Sequence, residues 1–118
     1  MSGGSLDVEV SLDDDLPELP AAVEVAAYRI SQEAVSNATR HAGATVCVVD
    51  IRVDGALVIA VRDDGSGCAP AAPGTGLRSM RECADELGGS CTVTFSPGSG
   101  TEVRARLPLT VTAPRGSR

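Results

Sequence analysis

Asp63-Asp64-Gly65-Ser66-Gly67 stands directly after Leu57-Val58-Ile59-Ala60-Val61-Arg62, and Gly74-Thr75-Gly76-Leu77 follows a short Ala/Pro stretch. The aliphatic run Leu57 to Val61 reads as a strand whose end delivers Asp63 to the sheet edge. Beyond the second glycine pair, Leu77, Met80, Ala84 and Leu87 recur at helical steps until Gly88-Gly89 stops them. Working upstream, Val46 to Val53 is a β-branched strand, and Asp54-Gly55 is a hairpin turn signal joining it to Leu57. A long helix precedes it, with Pro20 suited to its first turn, an end near His41, and Ala42-Gly43 as its stop. Val23, Ala27, Ile30, Ala34 and Ala38 give that helix a packed face. Leu6, Val8, Val10 and Leu12 alternate with polar residues, the pattern of a half-buried strand. Downstream, Cys91 to Phe95 and Glu102 to Leu107 read as two last strands joined by Ser96-Pro97-Gly98-Ser99-Gly100. The order strand, long helix, hairpin, loop, helix, hairpin predicts an α/β (α+β) two-layer sandwich, a mixed β-sheet with helices packed on one face. Residues 6–109 are expected to fold, with 1–5 a flexible lead-in and 110–118 a disordered tail.

Composition narrows the function. A chain of 118 residues is one domain with one core. Tyr28 and Phe95 are its only aromatics, so Val, Ala and Leu must build that core. The net charge of -6 argues against a nucleic-acid partner. No apolar run approaches the ~20 residues a membrane span needs, and the N-terminus has no signal-peptide pattern. The expectation is a cytoplasmic domain without direct membrane contact. Cys47, Cys68, Cys83 and Cys91 lack metal-ligand spacing and read as reduced, small apolar residues, although Cys68 falls beside the glycine-rich loops.

The polar residues around the opening stretch form a coherent set. Glu33, Asn37 and His41 are spaced i, i+4, i+8 and share one stripe of the long helix, bordering its apolar face. An asparagine carbonyl is a hard ligand suited to Mg²⁺ whose other ligands are phosphate and water. Glu33 can orient a metal-bound water or accept a proton, and Arg40 and His41 can reach phosphate oxygens. Asp63 can accept a hydrogen bond from an adenine amino group, which guanine does not offer there. Gly65 and Gly67 permit close backbone approach to a base or sugar. Gly74, Thr75, Gly76 and Leu77 lead into a helix whose free N–H groups and dipole favour phosphate. Thr101, after a Gly-Ser-Gly turn, can bridge to Asp63 and the base. Each feature alone is matched by a bland reading: a solvated helix face, a surface turn, a loop entering a helix, or a threonine starting a strand. As a set they describe a nucleotide pocket. A P-loop is excluded because no Lys follows the glycines, and no GxGxxG follows the first strand.

With those residues in view, the chain resembles the ATP-binding catalytic domain of bacterial sensor histidine kinases, within the superfamily of gyrase B, Hsp90 and MutL and its Bergerat-type fold. It is most similar to the subgroup paired with helix-turn-helix response regulators. Leu16-Pro17-Glu18-Leu19-Pro20 and Val23 to Ile30 resemble that subgroup's lead-in. Glu33 to Ala42 resembles the N box, Asp63 to Gly67 the DxGxG box, and Gly74 to Gly89 the last nucleotide box and its helix. Gly100-Thr101 and Leu107-Pro108 resemble the closing strand. The likeness implies ATP and Mg²⁺ as cofactors, with Asn37 as metal ligand and Glu33 assisting as base or through the metal's water. It implies that Asp63, supported by Thr101, reads adenine, and that Gly65, Gly67, Gly74 and Gly76 shape pocket and lid. The reaction implied is transfer of the γ-phosphoryl to a histidine on a separate dimerisation domain, and then to a cognate response regulator.

The chain departs from the family in three places. The stretch from Cys68 to Pro73 is a short lid, and Cys83 stands where the subgroup usually carries Arg. His41, the sole histidine, lies inside the N box and is followed by Ala42 where acceptor motifs carry an acid, so it does not read as the phosphoacceptor. The segment is therefore expected to be the catalytic part of a larger kinase. Alternatives on the same fold are a stand-alone serine kinase acting as an anti-sigma factor, a nucleotide-sensing interaction module without turnover, and an ATP hydrolase.

Overall fold

In a computed structural model the described residues are 6–14, 16–41, 43–67 and 75–109. The expected lead-in (1–5), lid (68–73) and tail (110–118) lie outside them. The elements run β1 (Asp7–Leu12), α1 (Ala21–His41), β2 (Val46–Val53), β3 (Leu57–Asp63), α2 (Thr75–Glu86), β4 (Ser90–Ser96) and β5 (Gly100–Leu107). The order along the sheet is β1-β2-β3-β5-β4, with β1 parallel to β2 and every other pair antiparallel. This is the mixed sheet expected, and both helices pack on one face. α1 lies over β2, β3 and β5, and α2 over β4 and β5.

The core follows from periodicity. Val23, Ile30 and Ala38 of α1 are fully buried, with Ala27 and Ala34 beside them, against Cys47, Val49, Leu57, Ile59, Val61, Val103, Ala105 and Leu107 of the sheet. Met80 and Ala84 bring α2 onto the same layer. β3 is central, which explains its unbroken aliphatic run: Leu57, Ile59 and Val61 face the helices, while Val58 and Ala60 are buried outside that core cluster. Register places Val58 between Arg52 and Arg106, and Ala60 between Asp50 and Arg104. Arginine side chains laid along such a face can cover small apolar residues while keeping their charges in water. On this face Glu102 pairs with Arg62 and Arg104, each at 3.3 Å.

Element ends obey local chemistry. The helix α1 begins one residue after Pro20, whose carbonyl accepts from the N–H groups of Val23 and Glu24 at 3.0 Å. Proline thus precedes the helix instead of occupying its first turn. At the end of α2, Gly88 adopts φ 78° and Gly89 N–H returns to Ala84 O at 2.9 Å, a Schellman-type stop.

Two expectations are corrected. β1 is not half-buried: all six of its residues are exposed, with Val8, Val10 and Leu12 at 43%, 60% and 55%. These three are in register with Cys47, Val49 and Ile51, on the helix side of the sheet, but the helix layer stops short of this edge strand. Asp63 ends the central strand and not a sheet edge.

Candidate nucleotide site

The site gathers where α1 ends, β2 begins and β3 ends. Only a short connection separates His41 from Val46, so the last turns of α1 lie close to the end of the sheet that carries Asp63. Glu33 and Asn37 are one turn apart and partly buried, beside the buried Ile30, Ala34 and Ala38. The Asn37 side-chain amide has no hydrogen-bond partner among the described residues. Arg40 and His41 close α1 in the chain, and their side chains lie outside the described structure.

Asp63 pairs in register with Cys47 on one side and Thr101 on the other. Side chains opposite one another across a sheet share a face. Cys47 is buried in the core, so Asp63 and Thr101 both point to the helix layer, adjacent as expected. The Asp63 carboxylate is partly buried, and its Oδ1 accepts the Gly65 N–H at 2.8 Å. That bond orients the carboxylate and leaves Oδ2 uncommitted among the described residues.

Several glycines also meet steric needs within the chain itself. Gly67 has φ 71°, and a Cβ there would overlap the backbone of Ser96 and Gly100. Gly98 N–H donates to Ser66 O at 2.7 Å, which ties the same loop to the β4–β5 turn. Gly100, at φ 112°, packs its α-carbon against the Asp63 carbonyl. The loop after β3 and the β4–β5 turn are thus joined backbone to backbone. Gly76 is different: a Cβ there would run into the Glu33 carboxylate. Glu33 therefore rests against the first turn of α2, the place expected to favour phosphate. Leu77 is partly buried against the core. Gly74 lies outside the described residues, as does the side chain of Thr75.

One contact was not foreseen from sequence. Asp64, exposed, accepts Thr45 N–H at 2.8 Å and Val46 N–H at 3.0 Å on Oδ1, and the Thr45 hydroxyl at 2.7 Å on Oδ2. Its own N–H donates to Val46 O at 3.2 Å. The bonds from Val46 and from the Thr45 hydroxyl and N–H hold its carboxyl down at about 2. The same two aspartates act on Cys47: burial first, then the charges of Asp63 and Asp64, push its thiol up to about 11. A threonine just before a strand, opposite a doubled aspartate just after its partner, is the signal that could have revealed this clamp.

Among the described residues no cluster of three His, Cys, Asp or Glu side chains could hold a metal. Asn37, whose side-chain amide has no hydrogen-bond partner among the described residues, could offer a protein oxygen to a cation held otherwise by phosphates and water. Two clefts open between α1 and α2. One, of about 240 Å³, is bordered by Glu33, Arg29, Gln32 and Ser79; the other, of about 440 Å³, by Ala22, Val25 and Leu87. Cys83 lines both.

A family profile described as "Histidine kinase-, DNA gyrase B-, and HSP90-like ATPase" matches residues 22–111. The chain belongs to this ATPase family. Similar relatives are sensor proteins: VraS of Staphylococcus aureus (strain COL) is 33% identical over 96 residues, covering 78% of this chain and 28% of VraS. The chain thus spans under a third of that relative. Among solved structures, the histidine kinase domain of the blue-light activated kinase EL346 from Erythrobacter litoralis superposes with a TM-score of 0.71 at 29% identity, over 90% of this chain and 52% of that one. The ATP binding domain of PrrB from Mycobacterium tuberculosis gives a TM-score of 0.62 at 28% identity, over 88% and 82%. The fold is that of these solved kinase ATP-binding domains, and the family is that of the histidine kinase-, gyrase B- and HSP90-like ATPases, as the resemblance implied.

Proposed function

We propose that this ATPase-family domain binds Mg²⁺-ATP and donates its γ-phosphoryl to a histidine on a separate dimerisation domain of a sensor kinase, from which a response regulator with a helix-turn-helix output receives it. The observation that carries the reading is the placement of Asp63 and Thr101 side by side on the helix face of the sheet, at the end where α1 brings in Asn37. Asp63 Oδ2 accepts the adenine amino group, with Thr101 beside it. Asn37 offers its amide oxygen to the cation, which when bound neutralises phosphate charge. Glu33 holds a water or takes a proton near the transferred group. Gly74, Thr75, Gly76 and Leu77, together with Arg40 and His41, form the phosphate end. Residues 6–109 are the folding unit. The kinase reading places the domain's work in the cytoplasm. No described helix is long and apolar enough to cross a membrane. The sensor-kinase relatives favour histidine over serine as acceptor.

Calorimetric titration with ATP and GTP, each with and without Mg²⁺, tests this. The expected result is ATP-selective binding strengthened by Mg²⁺. Equal affinity for both nucleotides would remove the role given to Asp63, and indifference to Mg²⁺ the role given to Asn37.

A further inference from the structure

We infer that Asp64, with Thr45, is a positioning pair that locks the base-reading end of the site to the exit of α1 and so sets adenine selectivity. The inference rests on the nucleotide-site reading above. In an antiparallel ladder, the Asp64–Val46 pair would exchange two backbone bonds. One is present, from Asp64 N–H to Val46 O. The Val46 N–H instead reaches the Asp64 side chain, at 3.0 Å. The carboxylate thus takes the place of a ladder acceptor, which lets the chain turn at Gly65 immediately after the strand. It also captures Thr45 twice, through N–H and hydroxyl.

The geometry gives these bonds a purpose beyond closing a turn. Thr45 and Val46 are the residues through which α1, bearing Asn37, passes into β2. Asp64 is the chain neighbour of Asp63 and leads into the loop whose Gly65 N–H orients the Asp63 carboxylate. On its far side that loop is already fastened to the β4–β5 turn through Ser66 and Gly67. The Asp64 clamp supplies the near side. Without it, the Asp63 carboxylate keeps its strand but loses a fixed relation to the helix that carries the metal ligand. Such misplacement weakens recognition of the base more than it weakens the fold.

The test compares Asp64→Ala, Asp64→Asn and Thr45→Val with the wild-type chain. ATP and GTP affinities are measured by calorimetry with Mg²⁺, and folding by thermal melting. Wild type must first show ATP selectivity; its absence defeats the nucleotide-site reading itself. Given that selectivity, Asp64→Ala is expected to lower ATP affinity about tenfold, because Asp63 loses its fixed position, with little change for GTP. Asp64→Asn should restore most of it, because its carbonyl oxygen can accept both N–H groups and its amide can donate to the Thr45 hydroxyl. Thr45→Val, which removes only the hydroxyl bond, should fall between and decides the matter if Asp64→Ala does not fold. A merely structural role predicts a lower melting temperature with the ATP:GTP ratio intact. An unchanged ratio in Thr45→Val and in any folded Asp64→Ala protein overturns the inference.

Discussion

Asp63 and Asp64 are neighbours with the same side chain and opposite duties. Asp63 leaves Oδ2 without a partner among the described residues, the oxygen proposed to meet the ligand, while Asp64 commits both of its oxygens to the protein. Asp63→Ala should therefore lower ATP affinity at least tenfold and leave weak GTP binding almost unchanged, read by paired titrations. Asn37→Ala should abolish the Mg²⁺ enhancement of ATP binding while the melting temperature stays within a few degrees, since its amide supports no described hydrogen bond. Acid probes the Asp64 clamp. Its folded pKa of about 2 lies below the ordinary 3.8. The stabilisation it gives is thus complete above the ordinary value and is lost as pH falls through about 2. An acid titration followed by NMR should show the Thr45 and Val46 amide signals shifting with a midpoint near 2. A midpoint near 4 would mean the clamp is not formed in solution. Sequence pattern could locate both aspartates but not separate them. What distinguishes Asp64 is a partner 19 residues away, brought close only by the register of β2 on β3.

At the scale of elements, the glycines sort by what surrounds them. Gly88→Ala meets open space and costs about 1 kcal/mol, the ordinary penalty for a left-handed alanine. Gly67→Ala adds a backbone collision to that strain, so urea unfolding should show a loss of more than about 2 kcal/mol. Gly76→Ala meets only the tip of a flexible side chain, and alanine favours a helix. Its stability should hold within about 0.5 kcal/mol while Glu33 is displaced, so the phosphoryl transfer proposed for this domain should fall without loss of fold. The elements themselves were legible because α1, β2, β3 and α2 carry strong periodicity and clear turn residues. The exposure of β1 was not. Alternation in Leu6, Val8, Val10 and Leu12 marks an apolar face but carries no information on whether a helix reaches far enough to cover it. The steric need at Gly76 was hidden for a similar reason, since it depends on Glu33 in another helix.

For the whole molecule, a core almost without aromatics relies on small aliphatic residues and thiols packed between one sheet and two helices. Cys47 and Cys91 are buried, and burial raises both thiols above their ordinary value. Mass mapping after brief iodoacetamide treatment at neutral pH should find both unmodified while Cys83, partly exposed beside the α1–α2 clefts, is labelled. The central position of β3 has a consequence for how the domain comes apart. Its backbone amides are shielded by a strand on either side and by α1 above, so they should be the last to exchange in deuterium, opening only with global unfolding. β1, paired on one side and uncovered, should exchange far earlier. Asp63 is thus rooted in the most durable part of the chain, and partial melting that strips away the sheet's edge would leave the residue proposed to read the base still standing.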